Sequence, residues 1–111
     1  MNKKIMKNIE TAQKLDLKGL VNYQDRQIVS KTLVQNQNVN ITLFAFDKDE
    51  EISTHTSHGD AMVNVLDGMA EITIGENKFK LIGGETIVMP AEVPHAVYAI
   101  DKMKFMLTVV F

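Results

Sequence analysis

Ile52-Ser53-Thr54-His55-Thr56-Ser57-His58-Gly59-Asp60 opens the stretch whose reading decides the fold, and Gly84-Glu85-Thr86-Ile87-Val88-Met89-Pro90-Ala91-Glu92-Val93-Pro94-His95 closes it. All three histidines of the chain lie inside it. Short apolar runs, broken by glycine and asparagine, fill the space between. Brought together by β pairing, the two ends would form the two halves of one pocket.

Inside the stretch, the runs at 61–66 and 69–74 flank Asp67-Gly68. Asp-Gly between apolar runs predicts a hairpin, because a type I′ turn needs positive φ at both central residues. Gly75-Glu76-Asn77 makes the next reversal, and residues 78–81 alternate as a short strand. Gly83-Gly84 turns the chain into residues 85–89, and Pro90 ends that strand because it cannot donate to a ladder. Two more strands are expected at 95–100 and 105–111.

Upstream, residues 28–34 are rich in β-branched side chains, and Gln35-Asn36-Gln37-Asn38 reads as a polar turn. Residues 39–46 then alternate, with Val39, Ile41, Leu43 and Ala45 on one face. Asp47-Lys48-Asp49-Glu50-Glu51 reads as a solvated turn. Its clustered acids lack the glycine that a calcium loop needs at its bend. Residues 1–27 form an arm. Ile5, Ile9, Ala12 and Leu15 fall near helical spacing, Thr11 is a candidate cap for a short helical turn, and Gly19 interrupts the pattern. Many short strands separated by turn signals predict an all-β sandwich or small barrel, with one domain over residues 28–111.

Composition narrows the function classes. A chain of 111 residues holds one core. The net charge of -2 provides no basic field for nucleic acid. No cysteine is present, which removes disulfides and thiolate metal sites and fits a reducing compartment. Lys3 and Lys4 could begin a signal peptide, but Lys7, Glu10 and Lys14 interrupt the apolar run it would need. No run approaches the length of a membrane span. The expectation is a soluble cytoplasmic protein with no nucleic-acid or membrane partner.

The stretch resembles the cupins, small β-barrels of the jelly-roll or double-stranded β-helix type. Their first motif is H-x-H-x3-E-x6-G. His55 takes its first place and Gly68 its last, while Ser57 replaces the second histidine and Ala61 the glutamate. Their second motif is G-x5-P-x-G-x2-H-x3-N. Gly84, Pro90 and His95 match it, with Glu92 in place of the inner glycine and Ala99 in place of the asparagine. The resemblance spans about residues 28–110. It implies a barrel with His55 and His95 facing each other across the interior.

In cupins, two motif-one histidines, the glutamate and the motif-two histidine hold one divalent metal. This chain keeps only His55 and His95 of the four. The resemblance therefore leaves two readings open. The pair lines a ligand pocket with Ser57, Met62 and Met89, or it also holds a divalent ion such as zinc, nickel, iron or manganese. His58 is a candidate third ligand. Strand alternation points it away from the face that His55 and Ser57 share, although a bulge at Gly59 would turn it inward. Met69 and Met106, with Met62 and Met89, read as core filler or pocket lining. Glu71 alternates with Ile72 and Ile74 and is expected at the surface.

No G-x-S-x-G elbow, phosphate-binding glycine loop or H-E-x-x-H occurs. Ser57 between two histidines lacks an acid to orient a base. The favoured function is a binding module for a small molecule. The alternative is a metal-dependent cupin enzyme of the dioxygenase, isomerase or lyase kind, whose catalytic residues the sequence does not name. Exposed strand edges and the habit of small cupins predict a homodimer.

Overall fold

The computed structural model describes residues 4–111. After a 3-10 turn at Leu17–Leu20, the chain forms β1 (Ile28–Gln35), β2 (Val39–Phe46), β3 (Glu51–His55), β4 (Asp60–Asp67), β5 (Met69–Ile74), β6 (Asn77–Ile82), β7 (Thr86–Met89), β8 (His95–Ala99) and β9 (Met103–Val110). They make a five-stranded sheet in the order β1-β2-β9-β4-β7 and a four-stranded sheet in the order β3-β8-β5-β6. Every pairing is antiparallel. The result is an all-β jelly roll, two sheets wrapped around one interior. No helix is long and apolar enough to cross a membrane among the described residues.

Strand alternation builds the interior. On β2, Phe44 and Phe46 point between the sheets; on β9, Met103, Phe105, Leu107 and Val109 do so; on β4, Ala61, Val63 and Val65. They meet Ala70, Ile72, Leu81, Val97 and Ala99 of the four-stranded sheet. Phe44 and Phe105 stack at 5.0 Å between ring centroids, and Phe46 meets Phe105 edge-on at 5.2 Å.

A second cluster lies on the outer face of the five-stranded sheet. Leu33, Leu43 and Ala45 are buried there beneath Val21, Leu17, Leu20 and Tyr23 of the arm. Polar contacts hold the arm in place. The backbone N–H of Lys7 donates to the Leu33 carbonyl at 2.8 Å, and the Asn8 amide donates to the Thr32 carbonyl at 2.8 Å. The Tyr23 hydroxyl donates to Asp67 at 2.6 Å, with the Lys104 ammonium 4.8 Å from its ring centroid. Burial, then the bond to the Asp67 carboxylate and its negative charge, push the Tyr23 hydroxyl well above the usual phenol range.

The helical turn expected around Thr11 forms later, at Leu17–Leu20, and contains Gly19. Asn8 and Ala12 instead take left-handed backbone with φ of 60° and 58°, which breaks any helix there. Val21, only 3% exposed, shows how deeply the arm shares the core. Val21→Ala is expected to destabilise the fold by about 2 kcal/mol in urea titration, a buried-methyl effect with no change of site.

Asp67-Gly68 does not make the expected hairpin. β4 and β5 belong to different sheets, and only Gly68, at φ 80°, is left-handed. The pair is a corner that carries the chain from one sheet to the other. Gly68 is required there because a Cβ would overlap the Lys102 carbonyl oxygen.

Candidate functional site

β3 and β8 pair directly, and their register places His55 opposite His95. The two imidazoles are therefore cross-strand neighbours on one sheet. The sequence expectation of histidines facing each other across the barrel is corrected by that pairing. Their Nε2 atoms lie 3.2 Å apart, and the rings meet edge-on at 4.4 Å between centroids. His95 is 2% exposed, whereas His55 is open to solvent.

Each ring is turned by its own backbone. His55 Nδ1 lies 2.8 Å from the Ser53 carbonyl and His95 Nδ1 lies 3.1 Å from the Val93 carbonyl. A carbonyl only accepts, so both Nδ1 atoms carry their hydrogens. That assignment follows from the partners. Both neutral rings then present Nε2 lone pairs to each other. A proton on one Nε2, or a cation between them, relieves that opposition.

Burial holds the His95 imidazole below its ordinary value; the Val93 carbonyl pulls the other way, and the nearby His55 lowers it further. The unfolded chain protonates this ring at ~6.5 while the folded chain resists. The native state thus binds fewer protons, and its stability falls as pH drops below ~6.5 towards the lower folded value. Urea midpoints measured with chelator at pH 7.5 and 5.5 are expected to fall more for the wild type than for His95→Gln.

The pair lies in the wall of a cavity of about 350 Å³ between the sheets. Ile52, Met89, Val97, Phe105, Leu107 and Val109 give it apolar walls. Its polar lining comes from the three histidines, Thr56, Ser57 and Asn40, and among the described residues no lysine, arginine, aspartate or glutamate lines it. Ser57 and Met89 line it. Met62 does not, and its placement in the pocket is corrected. It occupies the outward register of β4, between inward-facing Ala61 and Val63.

His58 sits at the rim, past the end of β3, with its Nδ1 2.8 Å from a Glu92 carboxylate oxygen. It is not grouped with His55 and His95: among the described residues no three His, Cys, Asp or Glu side chains cluster to hold a metal. Glu92 occupies the place of the motif glycine and keeps the glycine's backbone, with φ 68°. Its N–H donates to the Ser57 carbonyl at 2.8 Å, and the Ala91 N–H donates to Asp60 at 2.8 Å. These bonds fasten the bend after His55 to the turn before His95. Gly59 is needed in that bend because a Cβ would stand 2.5 Å from the Val110 carbonyl oxygen.

The donor set can be tested against a divalent ion. Metal–imidazole bonds of ~2.0–2.1 Å meeting near the tetrahedral angle separate two nitrogens by ~3.3 Å. The Nε2 atoms stand 3.2 Å apart, with each Nδ1 on a carbonyl, as in metal-ligating histidines generally. The pair fits one ion as two of its ligands.

Asn40, Phe105, Leu107 and Phe111 line the cavity and were not foreseen from the sequence. A signal for them existed. Phe44 and Phe46 occupy the register of β2 opposite Leu43 and Ala45, and Asn40 shares it.

Comparison with known proteins bears on the whole chain. No curated protein matches it. A solved structure of a conserved protein of unknown function from Streptococcus pyogenes superposes with a TM-score of 0.93 at 48% identity, covering 95% of this chain and 92% of that one. A cupin superfamily protein from Desulfitobacterium hafniense gives 0.91 at 28% identity over 96% and 97% of the two chains. A cupin 2 conserved barrel domain protein from Leptotrichia buccalis gives 0.85 at 38% identity, covering 87% of this chain but 47% of that one. The Cupin domain family model matches residues 42–111, the span that carries both histidine segments, most of β2 and all of β3 to β9. By that match, and by the relatives on which its two sheets superpose, the chain belongs to the cupins.

Proposed function

We propose that the chain binds a small, largely apolar molecule between its sheets, next to a divalent ion held by His55 and His95. The observation that carries this reading is the pair of Nε2 atoms 3.2 Å apart, each on a ring whose Nδ1 faces a backbone carbonyl, in the wall of an apolar cavity. Zinc, nickel, iron or manganese bound there would supply a Lewis-acidic centre with positions open to a ligand oxygen. The Ser53 and Val93 carbonyls fix both rings in the tautomer that leaves Nε2 free. The apolar walls exclude water from the rest of the ligand.

Elemental analysis of untagged protein, with melting curves in added zinc or nickel, tests the reading. Substoichiometric metal, a rise in Tm on adding it and loss of that rise in His55→Ala support it. A Tm that no divalent ion moves would overturn the metal half. The alternative, a cupin dioxygenase, isomerase or lyase, uses the same pair. With no third His, Cys, Asp or Glu in the cluster among the described residues, binding is favoured over turnover.

The proposed assembly is a homodimer in the cytoplasm, where a cysteine-free chain fits. Ile41, Thr108, Met62 and Val88 form one cross-strand row on the outer face of the five-stranded sheet. Val88 is half-exposed at the β7 edge. Light scattering at micromolar concentration is expected to give twice the 12.5 kDa chain mass, and Met62→Glu should return it to 12.5 kDa. A wild type already at 12.5 kDa would refute the dimer.

A further inference from the structure

Asn40 is the one polar side chain that the five-stranded sheet contributes to the cavity; the three histidines, Thr56 and Ser57 come from β3, β8 and the bend after β3. Its Oδ1 is buried and finds no hydrogen-bond partner. Around its row, Val109, Ala61 and Met89 follow on the neighbouring strands, all apolar and all lining the same cavity. An unpartnered amide oxygen among such groups is a standing cost to the fold, of a size that a packed apolar side chain would avoid. Whichever way the carboxamide is turned, one polar end has no partner in the protein.

We infer that Asn40 is the specificity-determining residue of the cavity, and that it receives an uncharged polar group, a carboxamide or hydroxyl, on an otherwise apolar ligand. The inference rests on the cavity being a ligand site. A carboxamide both donates and accepts, and a small rotation about its own axis presents either end to a ligand. Among the described residues no lysine or arginine lines the cavity, so no permanent cation stands beside Asn40 to neutralise a carboxylate or phosphate head group. Ligand recognition is then two-sided, by the imidazole pair on one sheet and one neutral amide on the other.

The test uses the full chain in chelator, so that no metal competes for oxygen ligands, with three probes of one shape: toluene, benzamide and benzoate. Binding is followed by NMR shifts in the wild type and in Asn40→Leu. Benzamide is expected to bind the wild type at least about fivefold more tightly than benzoate does. Asn40→Leu should weaken benzamide by about fivefold, the size of one hydrogen bond, and leave toluene unchanged or tighter. The same variant should melt about 4 °C higher, because it replaces an unpartnered buried group with an apolar one. A residue with a purely structural role would instead lower the melting point and weaken both probes alike. If toluene binds but Asn40→Leu treats benzamide and toluene equally, the Asn40 inference falls and the cavity reading stands. If none of the three binds, the cavity reading itself falls.

Discussion

Gly68→Ala is expected to cost the fold about 4 kcal/mol, a large part of the stability of a small domain. Two effects add. Gly68 has φ 80°, a region where a Cβ is strained by itself. In addition, the new Cβ would overlap the carbonyl oxygen of Lys102 and crowd the Cα of Met103, at the start of β9. Backbone atoms cannot swing aside as a flexible side chain can, so the corner between β4 and β5 must open. Gly84→Ala separates the two effects. Gly84 also has a left-handed φ, 94°, but nothing lies within 4 Å of its Cβ position. That variant should show only the backbone part, about 1–2 kcal/mol. Urea denaturation of both measures the difference. Equal losses would show that the approach to Lys102 relaxes easily and that Gly68 is a turn residue like any other.

Gly68 also shows what the sequence could and could not deliver. Asp-Gly between two apolar runs marked the reversal at the right place. It could not say whether the next strand pairs with the last one or crosses to another sheet. Both use glycine's positive φ, and the choice is made by long-range pairing of β4 with β9 and of β5 with β8. The same limit put His55 and His95 on opposite walls. Motif spacing brought them into one cavity, and only the β3–β8 register shows them side by side. Cupin membership, in contrast, was legible because its marks are local: Gly68, Gly84, Pro90 and His95 are set by turn chemistry at fixed spacing.

The cavity lining failed for a different reason. β2 carries apolar residues on both registers, Leu43 and Ala45 on one and Phe44 and Phe46 on the other. Alternation alone then assigns two faces without saying which is inside. The arm decides it: by covering Leu43 and Ala45, it makes an apolar outer face tolerable and frees the Asn40 register for the interior. Met62 alternates with the inward-facing Ala61 and Val63, so the period of two places it on the other face of β4. His58 lies past the end of β3, where strand alternation no longer applies. Glu92 as its partner was out of reach, because nothing local links residues 34 positions apart.

His95→Ala is expected to weaken zinc or nickel binding by at least about a hundredfold, ~2.7 kcal/mol, to the point where calorimetry records no site. Among the described residues the proposed ion would have two imidazoles as its protein ligands, so loss of one would leave a single monodentate contact. His55→Ala should do the same. Wild-type affinity itself should be modest and easily stripped by chelator. Ala61 stands where the family's glutamate would supply a compensating negative charge, and Ser57 where a third imidazole would stand. Both residues line the cavity, so the usual groups can be put back. Ser57→His with Ala61→Glu should tighten binding by more than tenfold, a gain of over ~1.4 kcal/mol. Calorimetry on the wild type, the two alanine variants and the double variant decides the matter. Tight wild-type binding that survives His55→Ala would place the ion elsewhere. Tight binding that depends on His58 would mean that His58 leaves Glu92 and turns inward, 2.8 Å of hydrogen bond exchanged for a metal bond. The chain would then hold a three-histidine centre with an open position, and the enzyme reading would take precedence over binding.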